Sequence, residues 1–272
     1  MIAVLSELAS EQFEKSTGIK ALSLKPYNKL DVPVASHADM LICVIDKTVF
    51  CYKDYYSSNI TIFNAIKECG YDIVITEKEC GSKYPNDIAL NVLVADRKIF
   101  CNKKHTAREI IDFATVNGYK IIDVKQGYAS CSTLLIDKSL AITADKGMKK
   151  ALDSENIDTL LISNEGIKLR GYNCGFIGGT GVSMNDKVYL FGNIKNHPSY
   201  KTILDAIEKK GLSIIEVVSN DLYDFGGVKL LWMLTKIKVH INYKKSHHVS
   251  KFGGFFIYFL KNTWQSNKCV LY

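Results

Sequence analysis

The sequence lacks three features that would assign it quickly to a class of protein. Its longest apolar run, residues 252–260, is far shorter than the roughly 20 residues that span a bilayer. No basic segment precedes Glu7, so a signal peptide is not predicted. None of the eight cysteines forms a CxxC pair, and no Cys/His cluster has zinc spacing. We therefore expect a cytoplasmic protein with reduced thiols, no transmembrane segment, no metal and no cofactor.

Acidic residues are missing from the C-terminal part of the chain. The last one is Asp224, and residues 228–272 contain eight lysines and no arginine. The other 27 Lys and Arg residues nearly balance the 28 Asp and Glu residues, so residues 1–227 carry a net charge of −1 although the whole chain carries +7. The basic charge therefore belongs to the C-terminal segment and not to the rest of the protein.

A hairpin pattern occurs four times along the 272 residues. Each hairpin consists of two apolar runs around a polar pair, in which Asp favours a tight turn because its side chain bonds the local backbone. The pairs, 50, 41 and 49 residues apart, are Asp46-Lys47, Asp96-Arg97, Asp137-Lys138 and Asp186-Lys187. After each hairpin come an amphipathic helical pattern, a short break and an apolar strand, which predicts four ββαβ units. Gly70, Gly118 and Gly211 stand where helices would end.

The two chain ends carry the halves of a fifth unit. Residues 6–24 have the pattern of a helix, a glycine and a strand, and residues 226–234 have the pattern of a strand. Joined, they predict an α/β fold over residues 1–232: a five-fold pseudo-symmetric ββαβ propeller whose last blade is shared between the chain ends. Closure of such a ring removes free sheet edges. A pair of stacked α/β domains would leave the match between the two halves unexplained.

This arrangement resembles the guanidino-group-modifying enzyme, or pentein, fold. The stretches YPNDIALN (84–91), VKQGYASCS (124–132), GYNCGFIGG (171–179) and LYDFGG (222–227) resemble those of an uncharacterised bacterial family of that fold. The resemblance covers about residues 1–232 and implies an amidine hydrolase or amidinotransferase. In such enzymes a cysteine attacks the guanidinium carbon, acidic residues hold the guanidinium group and a histidine moves protons. Their nucleophilic cysteine comes from the last unit, which here has Asp224 and no cysteine, so no catalytic residue is carried over by position.

Five polar, glycine-rich segments precede the first strands of the units, and in a propeller they would converge on the axis. These segments, named here the central segments, are residues 36–40, 84–91, 125–132, 171–179 and 222–227. We predict that they bind a small guanidino-type or other cationic ligand. The candidate ligand-binding residues are Asp39, Asp87, Asn91, Asp224, Gly178 and Gly179. The candidate catalytic residues are Cys131 or Cys174 as the nucleophile and His37 as the proton carrier.

Each candidate also has a structural interpretation. The thiols could be small packed side chains, the aspartates could accept backbone N–H bonds, and the glycines could let backbones approach closely. Residues 175–181 resemble a phosphate loop but lack its GK[ST] ending and precede a strand, which disfavours phosphate binding. The alternative to an enzyme is a non-catalytic binding module, a use of this fold known from the ribosome anti-association initiation factor.

Residues 233–272, the C-terminal tail, match none of the repeats, and three interpretations of them stay open. Lysines interleaved with aromatic residues could bind single-stranded nucleic acid through phosphate contacts and stacking. The same basic, aromatic segment could lie on an anionic membrane surface. Its Lys-, Asn- and Phe-rich composition is also what an A/T-rich gene yields when it is translated out of frame.

Overall fold

The structure is a computed structural model that describes residues 1–233, apart from the side chain of Ser219. Of the C-terminal tail, only Met233 falls in this range. The predictions made for the tail, nucleic-acid and membrane binding among them, therefore lie outside the described residues.

The described chain alternates short strands and helices. The first part contains β1 (Ile2–Ser6), α1 (Ser10–Thr17), β2 (Ala21–Leu24), α2 (Ala38–Leu41), β3 (Ile42–Ile45), β4 (Thr48–Tyr52), α3 (Lys53–Ser58), α4 (Ile60–Glu68), β5 (Asp72–Thr76), β6 (Leu93–Ala95), β7 (Lys98–Cys101), α5 (Arg108–Val116) and β8 (Lys120–Asp123). The second part contains β9 (Thr133–Leu135), β10 (Leu140–Thr143), α6 (Lys146–Ser154), β11 (Asp158–Leu161), β12 (Gly181–Met184), β13 (Lys187–Asn193), α7 (Tyr200–Glu208), β14 (Ser213–Asp221) and β15 (Val228–Leu231). Short 3₁₀ helices lie at Val32–Val34, Ile177–Thr180 and Ile194–Asn196.

The strands form five three-stranded sheets with the orders β15-β1-β2, β3-β4-β5, β6-β7-β8, β9-β10-β11 and β12-β13-β14. In each sheet the middle strand is antiparallel to the first strand and parallel to the strand after the helix. This confirms the ββαβ unit, which we number one to four along residues 42–221. The fifth, the split unit, joins the chain ends, because Ile2 of β1 pairs with Leu231 of β15.

The tight turns of units one and two lie where the sequence predicts them. Asp46 and Asp96 adopt φ angles of 51° and 55°, in the left-handed region that Asp tolerates better than most residues. In unit four the turn lies one residue earlier than predicted. Asn185 takes the left-handed conformation there, with φ 57°, and Lys187 already belongs to β13.

The prediction of a two-residue turn in unit three is wrong. Four residues, 136–139, connect β9 to β10. Asp137 does not adopt the left-handed conformation, and its side chain instead accepts a hydrogen bond from the backbone N–H of Ser139 at 2.7 Å. An Asx-type bond of this kind stabilises a wider loop as well as a tight turn, so the Asp-Lys pair alone did not determine the loop length.

The helices of units one to four each bury one face. Their buried residues are Phe63 and Ile66 in α4, Ile110 and Ala114 in α5, Met148 and Leu152 in α6, and Ile203 and Ile207 in α7. Gly70, Gly118 and Gly211 follow three of these helices with positive φ angles, as predicted.

The hydrophobic core is divided into clusters that are shared by neighbouring units. The largest contains Leu24 of the split unit, Phe50 of unit one and Ile99 of unit two. The others join Phe100 of unit two to Met148 of unit three, Ile142 of unit three to Val188 of unit four, and Phe191 of unit four to Phe13 of the split unit. Each unit is therefore covered by its neighbours and buries little apolar surface by itself.

Candidate functional site

Asn91 links three of the central segments. Its Nδ2 donates hydrogen bonds to the backbone oxygen of Asp39 at 3.0 Å and to Sγ of Cys131 at 2.8 Å. Its Oδ1 accepts from the backbone N–H groups of Ser130, at 2.8 Å, and Cys131, at 3.3 Å. A buried amide with both ends paired holds its neighbours in one arrangement. The side chain of Asn91 thus connects the first three central segments through hydrogen bonds.

Asp224 links the last two central segments. One carboxylate oxygen accepts the backbone N–H of Phe176 and the other accepts that of Gly226, both at 2.9 Å. Nδ1 of His37 lies 3.8 Å from the same carboxylate, and both side chains are buried. Because both oxygens are already bonded to backbone, Asp224 is the aspartate for which the structural interpretation has direct geometric support.

Asp39 lies next to this network but is bonded differently. It is buried in the first turn of α2, and neither of its carboxylate oxygens has a hydrogen-bond partner within residues 1–233. Burial raises the pKa of Asp39 to about 6, with the charge of Asp224 acting in the same direction and those of His37 and Lys229 opposing it. An unpaired buried carboxylate is costly in free energy, so this group is poised to accept a proton or a cation.

A cavity of about 460 Å³, named here the central cavity, is lined by Asp39. Residues from the first strand of every unit also line it: Val44, Val94, Leu135, Val182 and Val228. Lys229 and Ser130 lie on the same wall, where Nζ of Lys229 donates to Oγ of Ser130 at 2.9 Å. The cavity is therefore lined by Asp39, Lys229 and Ser130 among apolar strand residues, and the Asp39 carboxylate oxygens themselves are buried.

Gly178 and Gly179 are packing positions in the structure. A Cβ atom on Gly178 would lie 2.3–2.6 Å from the backbone oxygens of Ser130, Cys131 and Thr133. A Cβ atom on Gly179 would lie 1.7 Å from a carboxylate oxygen of Asp224. Gly178 also lines the central cavity. Both glycines therefore let two central segments approach more closely than any side chain would permit.

Cys131 is buried under this network. Burial raises the pKa of its thiol well above the usual value, and the negative charges of Asp39 and Asp224 raise it further. Its Sγ also lies 4.0 Å from Sδ of Met40. Cys174, in contrast, is exposed. The structure thus separates the two candidate nucleophiles, since only Cys131 lies beside the candidate aspartates Asp39 and Asp224.

We expect alkylation of the folded full-length protein to distinguish these thiols. At pH 8, iodoacetamide should modify Cys174 at least about 100 times faster than Cys131, because the reactive species is an accessible thiolate. The rates are measured by quenching at intervals and mapping each cysteine by mass spectrometry. Denatured protein, in which both thiols are accessible, provides the control. Equal rates in the folded state would show that Cys131 is exposed and activated.

Asp87 does not join the other aspartates. One of its oxygens accepts a hydrogen bond from the hydroxyl of Tyr128 at 2.8 Å, and the residue lines a different cavity from Asp39. Burial raises the pKa of Asp87, and the Tyr128 hydrogen bond opposes that change. Of the three candidate aspartates, Asp87 therefore lies apart from Asp39 and Asp224.

Sequence reasoning missed Lys229 and Ser130. Lys229 interrupts the apolar pattern of β15 two residues after Gly227. That interruption is a usable signal, because a lysine in a half-buried strand normally has a nearby polar partner. Ser130 carries no such signal, since serine is common in loops.

The structure is similar to three solved guanidino-modifying enzymes. SxtG, an amidinotransferase from Microseira wollei, has a TM-score of 0.54 and 11% identity, and the match covers 83% of this chain and 80% of that one. A dimethylarginine dimethylaminohydrolase adduct has a TM-score of 0.50 and 10% identity, and the match covers 77% of this chain and 81% of that one. The cyanobacterial arginine dihydrolase ArgZ has a TM-score of 0.50 and 10% identity, with 79% of this chain but only 36% of that chain covered. The fold is that of the guanidino-group-modifying, or pentein, enzymes, and identities this low show the fold and not the reaction.

Within that class, the chain belongs to a family of proteins of unknown function, DUF6873, whose model matches residues 5–229. The resemblance inferred from the sequence is thereby confirmed. No curated protein matches the chain in sequence.

Among the described helices, none is both long enough and apolar enough to cross a membrane. Residues 1–233 also contain no cluster of three or more His, Cys, Asp or Glu residues suited to hold a metal ion.

Proposed function

We propose that the protein binds a small amino-acid-like ligand with a guanidino or other cationic head group in the central cavity. The observation that carries this proposal is the Asp39 carboxylate, which has no hydrogen-bond partner within residues 1–233, in a residue that lines the same cavity as Lys229. Asp39 would pair with the cationic head group, and Lys229 with Ser130 would bind the carboxylate of the ligand. The dimethylarginine dimethylaminohydrolase of the same fold supports this ligand class, since it was solved as an adduct with S-methyl-L-thiocitrulline.

The proposal includes a closed ring of the five units around the central cavity. Two observations support closure. First, the core clusters connect each unit to the next, including unit four to the split unit through the rings of Phe13 and Phe191, whose centroids are 6.2 Å apart. Second, the first strand of every unit contributes to the wall of one cavity. A ring of this kind would hold the central segments rigidly, which favours a preorganised site.

A cysteine-dependent reaction is the second candidate function, and the position of Cys131 favours it. Burial raises the pKa of its thiol, the negative charges of Asp39 and Asp224 raise it further, and a cation bound at Asp39 would offset the part due to these charges. The thiolate could then add to an amidine carbon and expel its amine, which leaves with the proton carried by His37, and water or an acceptor amine would then displace the cysteine from the covalent thiouronium intermediate. Without a bound cation the thiol stays protonated, and the protein would act as a binding module.

Calorimetric titration of the full-length protein with matched ligands tests the first candidate. L-Citrulline replaces the guanidinium group of L-arginine by a neutral urea, and agmatine lacks the carboxylate. We expect arginine to bind at least about tenfold more tightly than either compound, because each lacks one charged partner. The variant Asp39→Asn should lose the preference over citrulline, and Lys229→Met should lose the preference over agmatine.

The exposed substitution Asp112→Asn serves as the control and should bind arginine as the wild type does, since Asp112 lies on the surface of α5, where it forms an ion pair with Arg108. Equal affinity for arginine and citrulline, or unchanged binding by Asp39→Asn, would refute the proposed site. Product analysis with Cys131→Ser then separates the two candidates. Turnover that this variant abolishes indicates an enzyme, and binding without turnover in the wild type indicates a binding module.

A further inference from the structure

A second cavity, separate from the central cavity, is lined by tyrosines. This tyrosine pocket has a volume of about 450 Å³ and shares no lining residue with the central cavity. Its lining residues are Leu30, Asp31, Val32, Ser82, Lys83, Tyr84, Asp87, Tyr128 and Tyr172. The proposed function leaves this pocket unused.

Asp87 supplies a buried, incompletely bonded carboxylate to the pocket. The residue is only 6% exposed, and one oxygen accepts the Tyr128 hydrogen bond. The other oxygen, Oδ1, is buried and has no hydrogen-bond partner within the described part of the chain. A buried carboxylate oxygen without a partner is unfavourable, and a cation in the adjoining cavity would offset that cost.

Aromatic and apolar side chains surround this carboxylate while remaining open to solvent. Tyr84 and Tyr172 are 52% and 46% exposed, and Val32 is 86% exposed. The rings of Tyr84 and Tyr128 are 5.7 Å apart and inclined by 47°. Exposed aromatic faces beside a carboxylate are the arrangement that binds organic cations by cation–π attraction.

The hydrogen bonds within the pocket discriminate between classes of cation. Both oxygens of Asp31 are engaged, one by the backbone N–H of Val32 at 3.0 Å and one by the hydroxyl of Tyr172 at 2.7 Å. Of the four carboxylate oxygens in the pocket, Oδ1 of Asp87 is therefore the one that has no hydrogen-bond partner within residues 1–233. A guanidinium group has five N–H donors that need acceptors, whereas a trimethylammonium group has none and gains from contact with ring faces.

We propose that the tyrosine pocket binds the trimethylammonium group of a betaine-type ligand. The positive head group would lie against the tyrosine rings with Asp87 beside it. Lys83 also lines the pocket, and its charge suits the carboxylate at the other end of such a ligand. This site goes beyond the proposed function, because it differs in location and in the class of cation that it accepts.

Three probes with the same carboxylate test the proposal on the full-length protein. Glycine betaine carries the trimethylammonium group, 3,3-dimethylbutanoate replaces its nitrogen by carbon, and guanidinoacetate carries a guanidinium group. We expect betaine to bind at least about tenfold more tightly than either of the others, measured by calorimetry or by saturation-transfer NMR of the methyl signals. Equal binding of the carbon isostere, tighter binding of guanidinoacetate, or no binding of betaine would each overturn the proposal.

Substitutions locate the binding in this pocket. Asp87→Asn and Tyr84→Ala should each weaken betaine binding by at least about fivefold, while Tyr56→Ala, a partly exposed tyrosine of α3, should not change it. Thermal unfolding shows whether each variant is folded, and Tyr84→Ala provides the test if Asp87→Asn is not. Asp39→Asn should leave betaine binding unchanged, which separates this site from the central cavity. Unchanged binding in Tyr84→Ala, or binding lost in Asp39→Asn, would contradict the assignment.

Discussion

The variant Asp39→Asn is expected to be more stable than the wild type at neutral pH, although it should lose the binding preference of the central cavity. Burial raises the pKa of Asp39 from 3.8 to about 6, so the ionised carboxylate disfavours the folded state. Removal of a charge with a pKa shift of this size should raise the free energy of unfolding by about 2–3 kcal/mol at pH 7.5. Urea unfolding at that pH measures the gain.

The gain should depend on pH in a defined direction. Between pH 3.8 and about pH 6, Asp39 is mostly protonated in the folded protein and mostly ionised in the unfolded chain. The stability due to this group is therefore present below pH 4, falls as the pH rises from about 4 to about 6, and is constant above that. The difference between variant and wild type should grow over the same range from nearly zero to its full value.

The control for this experiment is Asp112→Asn, which removes an exposed carboxylate and should change stability by less than about 0.5 kcal/mol. A variant Asp39→Asn that is less stable than the wild type at pH 7.5 would contradict the expectation. It would show that Asp39 forms a net stabilising ion pair with Lys229 or His37. A buried group that lowers stability is typical of a functional site, because folding alone would favour an apolar side chain there.

The variant Gly178→Ala is expected to lose at least about 3 kcal/mol of stability. Its new methyl group would lie within 2.6 Å of three backbone oxygens, those of Ser130, Cys131 and Thr133. These atoms belong to the backbone entering β9, so they cannot move aside as the end of a flexible side chain can. The central segments of units three and four would have to separate, and both the cavity wall and the core cluster between the units would be disturbed.

Gly211→Ala is the matched control for this substitution. Gly211 has a φ angle of 73°, and nothing lies within 4 Å of the Cβ atom that alanine would add. Gly211→Ala should therefore lose stability only through the strain of the left-handed backbone conformation. That cost is about 1–2 kcal/mol. Urea unfolding of both variants measures the loss of stability due to steric crowding at Gly178 and the loss due to backbone strain at Gly211. A loss for Gly178→Ala no larger than that for Gly211→Ala would show that the two central segments are not packed as closely as described.

The repeated unit could be predicted because its signals are local. Turn residues such as Asp46 and Asp96, and glycines such as Gly118 after a helix, act on the backbone conformation of their own segments. The complementary chain ends predicted that a fifth unit is shared between them, but β1 (Ile2–Ser6) and its pairing with β15 were not predicted. The local signal failed at Asp137, where the same residue type stabilises a four-residue loop.

The candidate site could be predicted only as a set of segments. The sequence indicated that polar residues precede the first strands, and the structure brings Asp39, Asn91, Cys131 and Asp224 together there. Their individual hydrogen bonds could not be predicted, because Asn91 and Cys131 are 40 residues apart and come into contact only when the units pack against each other. The same packing of units places Asp87 in the tyrosine pocket and Lys229 in the central cavity.

By itself, then, the sequence determined the ββαβ unit, the number of its repeats and the segments that carry polar chemistry. These properties follow from hydrophobic periodicity and turn chemistry, which act over a few residues. The tertiary structure alone decided which carboxylates are bonded to the backbone, which one has no hydrogen-bond partner within the described residues and which thiol is buried. Those outcomes depend on distances of a few ångströms between segments far apart in the chain, and such distances are fixed only when neighbouring units pack against one another.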